Sequence, residues 1–247
     1  MVEHGYKMTK ADHCVFFRNF SDENYVEKVL RHFGMDKAKA VSIPLPSHFK
    51  LSRQLCPSTN EEKLSMKNIL YSWAVGSLMY AMFCTRPDIT HAVGVVSRYL
   101  SNPGRHHWEA VKWVMRYLRG SSNLRLTLGC NKPMLVGYMA SDLAESLDDR
   151  KSTLGHMVTF DGGTVVWQSK MQKCVALSTI EAEFIAAVEA TKELLWLRKF
   201  TMELDSKLIE LEKIHTDGNG ADMLTKVLSR GKFEFCRTVT GLILPSN

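Results

Sequence analysis

Four basic residues stand out by their spacing. Arg105, Lys112, Arg116 and Arg119 lie 7, 4 and 3 positions apart. At about 100° per residue on a helix they fall within an arc of roughly 60°. A stripe of that kind follows phosphates by charge and breaks no bonds. Glu109 shares its side and partly offsets it, and a solvated helix face is the alternative reading. Asp149-Arg150-Lys151 is a second charge run, read as a loop. Motifs for other chemistry are missing: there is no Gly-x-Ser-x-Gly, no Gly-Lys-Ser phosphate loop and no His-Glu-x-x-His. The six cysteines are never closer than 28 residues, which excludes a Cys-x-x-Cys metal or redox pair and suggests reduced packing residues. The histidines show no ligand spacing, and the five tryptophans read mostly as packing residues.

The elements that must carry these residues follow from periodicity. Of the 247 residues, 45% are apolar and 23% charged, as in a globular chain, and 32 Lys+Arg against 26 Asp+Glu give a net charge of +6. That balance suggests an acidic partner, nucleic acid being the commonest. The start has no apolar core of a secretory signal, and Trp73–Cys84 is too short to span a bilayer, so a cytoplasmic or nuclear protein without membrane contact is expected. Tyr25–Phe33 has helical spacing with Gly34 as its cap, and residues 41–60, with three prolines, read as an extended connector. Tyr71–Phe83 is apolar nearly all round and is expected to be buried. Asp88 is expected to cap a helix with Ile89, Ala92, Val93, Val96 and Leu100 on its apolar face. A helix from Arg105 to Leu118 buries Trp108, Val111, Val114, Met115 and Leu118.

Near residue 122 the pattern changes. Leu124–Leu128, Met134–Ala140, Leu154–Phe160, Thr164–Gln168 and Lys173–Leu177 read as strands, with a hairpin turn at Asp161-Gly162-Gly163. Ser178 and Glu181 have the spacing of a capping box for a helix through about Leu204, with Phe184, Val188, Leu195 and Leu204 among its apolar positions. A strand at Leu208–His215 and short helices at Ala221–Leu228 and Lys232–Val239 close the chain. The order indicates an α+β (α/β-like) fold.

Several segments are more specific. Ala74-Val-Gly-Ser-Leu-Met-Tyr with Thr85-Arg-Pro-Asp-Ile resembles the segment after the polymerase palm in copia-type retrotransposon Pol polyproteins. Asp149-Arg-Lys-Ser-Thr, Trp167-Gln-Ser-Lys-Met-Gln, Ala176-Leu-Ser-Thr-Ile-Glu-Ala-Glu-Phe and Ala221-Asp-Met-Leu-Thr-Lys resemble their ribonuclease H domain. The order and spacing agree over most of residues 60–204. The resemblance implies a remnant of reverse transcriptase with a Pro/Ser-rich connector over 1–60 and a helical connection block over 61–122. It implies an incomplete ribonuclease H-like mixed sheet with flanking helices over 123–247.

In that family the ribonuclease H domain cuts RNA in an RNA–DNA hybrid with two Mg²⁺ ions about 3.5–4 Å apart, held by four carboxylates. The resemblance carries the helix carboxylate to Glu183 and the last one to Asp222. The first falls on Ala140, in Gly137-Tyr-Met-Ala-Ser-Asp142, where the family has Gly-Tyr-Thr-Asp-Ala-Asp. Asp142, two strand residues on, is about 6–7 Å away and is taken as no ligand. The block with the third Asp is missing between Asp205-Ser206-Lys207 and Leu208, and the polymerase Tyr-x-Asp-Asp is absent. A similar jump lies at Ser21–Asn24. Asp217 reads as a turn residue before Gly218, or as a substitute for the third Asp if its strand moved inward. Glu183 and Asp222 alone make a weak or vacant metal site, so no productively bound Mg²⁺ and no catalysis are expected. Arg150 and Lys151 adjoin the hybrid-binding surface of the family and join the Arg105–Arg119 stripe as candidate contacts for a weakly bound hybrid or duplex. The alternatives are a non-catalytic basic nucleic-acid-binding remnant, or a gene-model artefact without a stable product. Leu208–His215 is expected to fill the vacancy beside Met134–Ala140, parallel to it.

Overall fold

Apolar periodicity becomes a block of helices followed by a mixed sheet. The computed structural model describes residues 7–8, 16–17, 25–128, 134–204, 210–216 and 220–244. A short antiparallel pair, β1 (Lys7–Met8) and β2 (Phe16–Phe17), precedes α1 (Tyr25–His32). Helix α1 buries Val26, Val29 and Leu30, and Gly34 at φ 64° ends it in the left-handed conformation that favours glycine. The irregular connector that follows gives way to α2 (Asn60–Lys67), a helix not anticipated above. Its signal was present as the Thr59–Glu62 capping box, in which each side chain bonds the other's backbone N–H.

Three helices then form the block: α3 (Tyr71–Cys84), α4 (Thr90–Ser97) and α5 (Arg105–Gly120). Helix α5 buries Val111, Val114, Met115 and Leu118 as its spacing requires, with Trp108 packed beside them. Helix α3 corrects its expectation. Only the face of Ala74, Val75, Leu78, Ala81 and Met82 is buried, while Trp73, Tyr80 and Phe83 are exposed, Trp73 by 68%. Its neighbours α1, α4 and α5 cover one side only, so uniform hydrophobicity did not translate into uniform burial. Asp88 is a second correction. It caps nothing; α4 has no side-chain cap and Asp88 turns inward to Arg86. Leu100 lies beyond the end of α4 and is exposed.

The sheet follows. β3 (Arg125–Leu126) is shorter than its alternating segment and pairs with the last strand. β4 (Met134–Ser141), β5 (Thr153–Phe160) and β6 (Gly163–Met171) form an antiparallel meander. Asp161 and Gly162, at φ 50° and 83°, make the two-residue turn between β5 and β6, as the Asp-Gly signal required. No strand forms at Lys173–Leu177; that stretch is the loop into α6 (Thr179–Leu204). β7 (Glu210–His215) returns parallel to β4, giving the order β6-β5-β4-β7. The vacancy beside β4 is therefore filled by the expected segment, with Tyr138 stacked on His215 at 5.0 Å. α7 (Arg230–Val239) and β8 (Leu242–Ile243), which pairs with β3, complete the fold.

Alternation in β4 divides the molecule. Leu135 and Met139 face α6, against Ala186, Ala190, Leu194 and Leu197. Ala140, with Met157 of β5, faces the helical block, joining the largest core with α3, α4, α5 and α7. On helix α6, the apolar Phe184, Val188 and Leu195 lie on the exposed side. Three alanines and two leucines form its buried face instead.

Candidate functional site

Ala140 and the two carboxylates expected beside it, Glu183 and Asp222, lie on β4 and on two elements that pack against it. Ala140 is 4% exposed and pairs with Gly155 across the strand. Gly155 has no Cβ for a physical reason: one built there would stand 2.7 Å from Leu224 Cβ and from Thr225 Cγ2. This close approach seats the 3₁₀ turn Gly220–Leu224 on the sheet beside Ala140. The turn carries Asp222, whose Oδ1 pairs with Lys226 Nζ at 3.1 Å. Glu183 stands exposed in the second turn of α6. The start of that helix is tied to β4 by Gln172, whose Nε2 donates to Ala182 O at 2.9 Å and to Ser141 Oγ at 3.3 Å.

Proximity along the strand does not make a ligand cage. Helix α6 packs on the face of Met139, whereas the 220–224 turn packs on the face of Ala140. The two remaining carboxylates are thus carried on opposite faces of the sheet, and the methyl of Ala140 offers no oxygen between them. Among the described residues there is no group of three His, Cys, Asp or Glu side chains placed to hold a metal ion. Tested against a two-ion centre, which needs oxygen ligands converging from several elements, the residues present do not fit. Asp217 lies outside the described residues.

Asp142 has a different role. Its Oδ1 accepts from Thr153 N, and its own N–H donates to Thr153 O at 3.1 Å, closing the loop between β4 and β5. Burial, with the Glu145 carboxylate beside it, pushes the Asp142 carboxyl up to about 7. Burial would raise Glu145 as well, but His91 Nε2 at 3.1 Å from its Oε2 outweighs that and holds it below the usual range. Of the two carboxyls, Asp142 is therefore the one that binds its proton more tightly.

The four stripe residues do lie on one helix, and α5 uses two of them internally. Arg116 Nε donates to Lys39 O at 2.8 Å and its guanidinium sits 4.7 Å from the Trp113 ring centre. Arg119 Nε donates to Asp36 O at 2.5 Å. These bonds hold the connector against α5. Arg105 is exposed beside Glu109 at 3.7 Å, and Lys112 is half-buried. Arg150 is exposed and Lys151 half-buried in the loop after β4. That loop is anchored from beneath by Asp148, which accepts from Arg53 N at 2.8 Å and Tyr99 Oη at 3.1 Å.

One cluster escaped the sequence reading. Arg86, 2% exposed, donates twice to Asp88 (2.9 and 2.7 Å), to Ser121 O at 3.1 Å and to Ser121 Oγ at 2.6 Å. Tyr117 Oη adds a bond to Asp88 at 2.5 Å. The signal was the Thr85-Arg-Pro-Asp-Ile block, whose charges join the end of α3 to the end of α5. Trp73 and Trp196 are exposed, against the packing expected of the tryptophans, while Trp108, Trp113 and Trp167 pack. Among the described residues, no helix is long and apolar enough to cross a membrane.

Known proteins extend this picture. The chain is 48% identical over 265 residues to the retrovirus-related Pol polyprotein from transposon TNT 1-94 of Nicotiana tabacum, covering 90% of this chain and 20% of that polyprotein. It is 33% identical over 210 residues to the Pol polyprotein from transposon RE2 of Arabidopsis thaliana, covering 83% of this chain and 14% of the relative. It is 45% identical over 133 residues to secreted RxLR effector protein 161 of Plasmopara viticola, covering 53% of this chain and 94% of the effector. In the tobacco match, 90% of 247 residues supplies only about 222, so roughly 40 of the 265 aligned positions have no residue from this chain. No family model matches, and no solved structure matches.

Proposed function

The chain belongs to the copia-type family of retrovirus-related Pol polyproteins of transposons, and from that premise we propose that it spans the end of a reverse transcriptase and a ribonuclease H-like domain that has lost hydrolysis. The observation that carries the proposal is Ala140. It occupies the strand position of a metal-binding Asp and is packed against Met157, Ala221 and Leu224. What remains is weak, sequence-independent contact with an RNA–DNA hybrid or duplex through Arg105, Lys112 and the Arg150–Lys151 loop, in the cytoplasm or nucleus. No Mg²⁺ takes part. With 94% of the oomycete effector matched, about half of this chain has a counterpart in a shorter protein.

The test is cleavage of a labelled RNA–DNA hybrid by the purified chain with Mg²⁺ or Mn²⁺. No product is expected, and none in Ala140→Asp, because one restored carboxylate leaves the ligand set incomplete. Metal-dependent cleavage that Glu183→Ala abolishes would overturn the proposal. Transcripts reading continuously through codons 21–24 and 206–208 would remove the gene-model artefact.

A further inference from the structure

We propose that the outer face of α6 is a self-association surface, on which a second copy of this chain docks with its own α6 antiparallel. The helix turns its small residues to the sheet and its large ones to solvent. Ile180, Phe184, Val188 and Leu195 are all exposed, Ile180 by 77% and Phe184 by 68%. At about 100° per residue, they and Thr191 fall within an arc of roughly 80°, turned away from the buried Ala182, Ala186 and Ala190. An apolar stripe of this length on a charged helix marks an interaction surface.

The link from this helix to the next strand is too short to cover it. Only five residues separate α6 from β7. Fully extended they reach about 17 Å, whereas a 26-residue helix is about 39 Å long.

Charge fixes the partner and its direction. Glu181, Lys192 and Lys199 fall within about 20° of one another on one flank of the stripe. With a two-fold axis near Val188, Glu181 of one helix lies opposite Leu195 of the other. It is then one turn from the partner copy's Lys192 on one side and from its Lys199 on the other. The symmetry repeats this contact. Parallel helices about a two-fold axis would set this flank beside the partner's opposite flank, at Ala187 and Leu194, where the three charges find no counterpart. The antiparallel arrangement is the one in which the chain is complementary to itself. Lys192 already pairs with Glu189 at 2.7 Å within its helix, and Glu181 Oε2 accepts from Leu177 N at 2.8 Å. Both interactions are exposed, and Glu181 keeps a second oxygen for a partner.

One helix face buries less than the roughly 800 Å² per partner of a standard interface, so the expected dissociation constant is on the order of 10–100 μM. Sedimentation equilibrium of the full chain measures it. Phe184→Asp/Leu195→Asp should give a monomer with an unchanged circular dichroism spectrum, both side chains being exposed already. Glu181→Lys alone, and Lys192→Glu/Lys199→Glu alone, should each weaken the dimer about three- to tenfold. Mixing these two variants should restore it as a heterodimer. A monomer at several hundred micromolar overturns the proposal. So does a dimer indifferent to Phe184→Asp/Leu195→Asp that dissociates in Trp73→Ser/Phe83→Ser, which would place contact on α3. An effect of Lys192→Glu/Lys199→Glu without one of Glu181→Lys would overturn the antiparallel arrangement.

Discussion

Replacing Arg86 by methionine tests whether the Thr85-Arg-Pro-Asp-Ile block is a structural clamp. The substitution keeps most of the side-chain volume and removes four donated hydrogen bonds, two to Asp88 and two to Ser121. The Asp88 carboxylate, whose side chain is 0% exposed, is then left with Tyr117 Oη as its remaining donor. A buried charge stripped of its partner costs about 3–5 kcal/mol. The double variant Arg86→Met/Asp88→Leu removes the stranded charge too. Its expected cost is only about 1–2 kcal/mol, mainly the buried Tyr117 hydroxyl left without its acceptor. Urea unfolding followed by tryptophan fluorescence, at concentrations below self-association, measures both. The reasoning fails if Arg86→Met costs less than about 1 kcal/mol, or if the double variant is no more stable than the single one. Either result would mean that water or a rearranged neighbour replaces the guanidinium, and that the block is not a clamp.

Two further outcomes follow from the site. Asp142 binds its proton more tightly in the folded chain than its ordinary 3.8, at about 7. The stability this lends is full below about pH 4 and is lost as pH rises to about 7. The move is worth about 4 kcal/mol, which partial solvent access reduces to about 2 kcal/mol. Asp142→Asn should therefore gain that much on the wild type between pH 4 and pH 8 in thermal or urea unfolding, and parallel pH profiles would refute the raised Asp142 carboxyl. On α5, Arg116 and Arg119 hold the connector, leaving Arg105 and Lys112 for phosphates. Duplex binding, followed by fluorescence anisotropy, should show a log–log salt slope near −2 from this helix where four free charges would give about −3 to −4. A four-charge slope that falls on Arg116→Ala/Arg119→Ala would show that those arginines leave the connector for the nucleic acid.

How much of this was legible in the sequence depends on which interactions are local. The α5 core face, the Asp161-Gly162 turn and the strands β4 to β6 follow from periodicity and turn chemistry within a few residues. The parallel return of β7 was legible because a strand–helix–strand unit has few ways to close. The shift of Asp88 from cap to clamp was not, because it is bonded by Tyr117, 29 positions away, and its partner Arg86 by Ser121, 35 positions from that arginine. For the same reason the stripe on α5 read as a free surface, whereas the connector carbonyls that take up Arg116 and Arg119 are about 80 residues earlier in the chain. Around Ala140, alternation in β4 placed residues on a face, and only packing shows which face α6 covers and which the 220–224 turn covers.

Helix α6 shows why an apolar pattern alone does not select the buried face. Its sequence holds two stripes, one of alanines at 182, 186 and 190 continuing into Leu194 and Leu197, the other of larger residues at 180, 184, 188 and 195. Transfer free energy favours burying the second, since a large apolar side chain gains roughly 1.5–3 kcal/mol on full burial. Geometry favours the first. Gly137 in β4 thins the sheet on this side, and a Cβ there would already stand 3.4 Å from Leu194 Cδ2. A helix that approaches strands so closely needs methyl groups at the contact, and Met139 and Leu154 fill the layer from the sheet side. The large residues are left outside, where their transfer free energy is gained only if another surface covers them. That unspent term sits on the same helix as Glu183, whose carboxylate also stands in solvent.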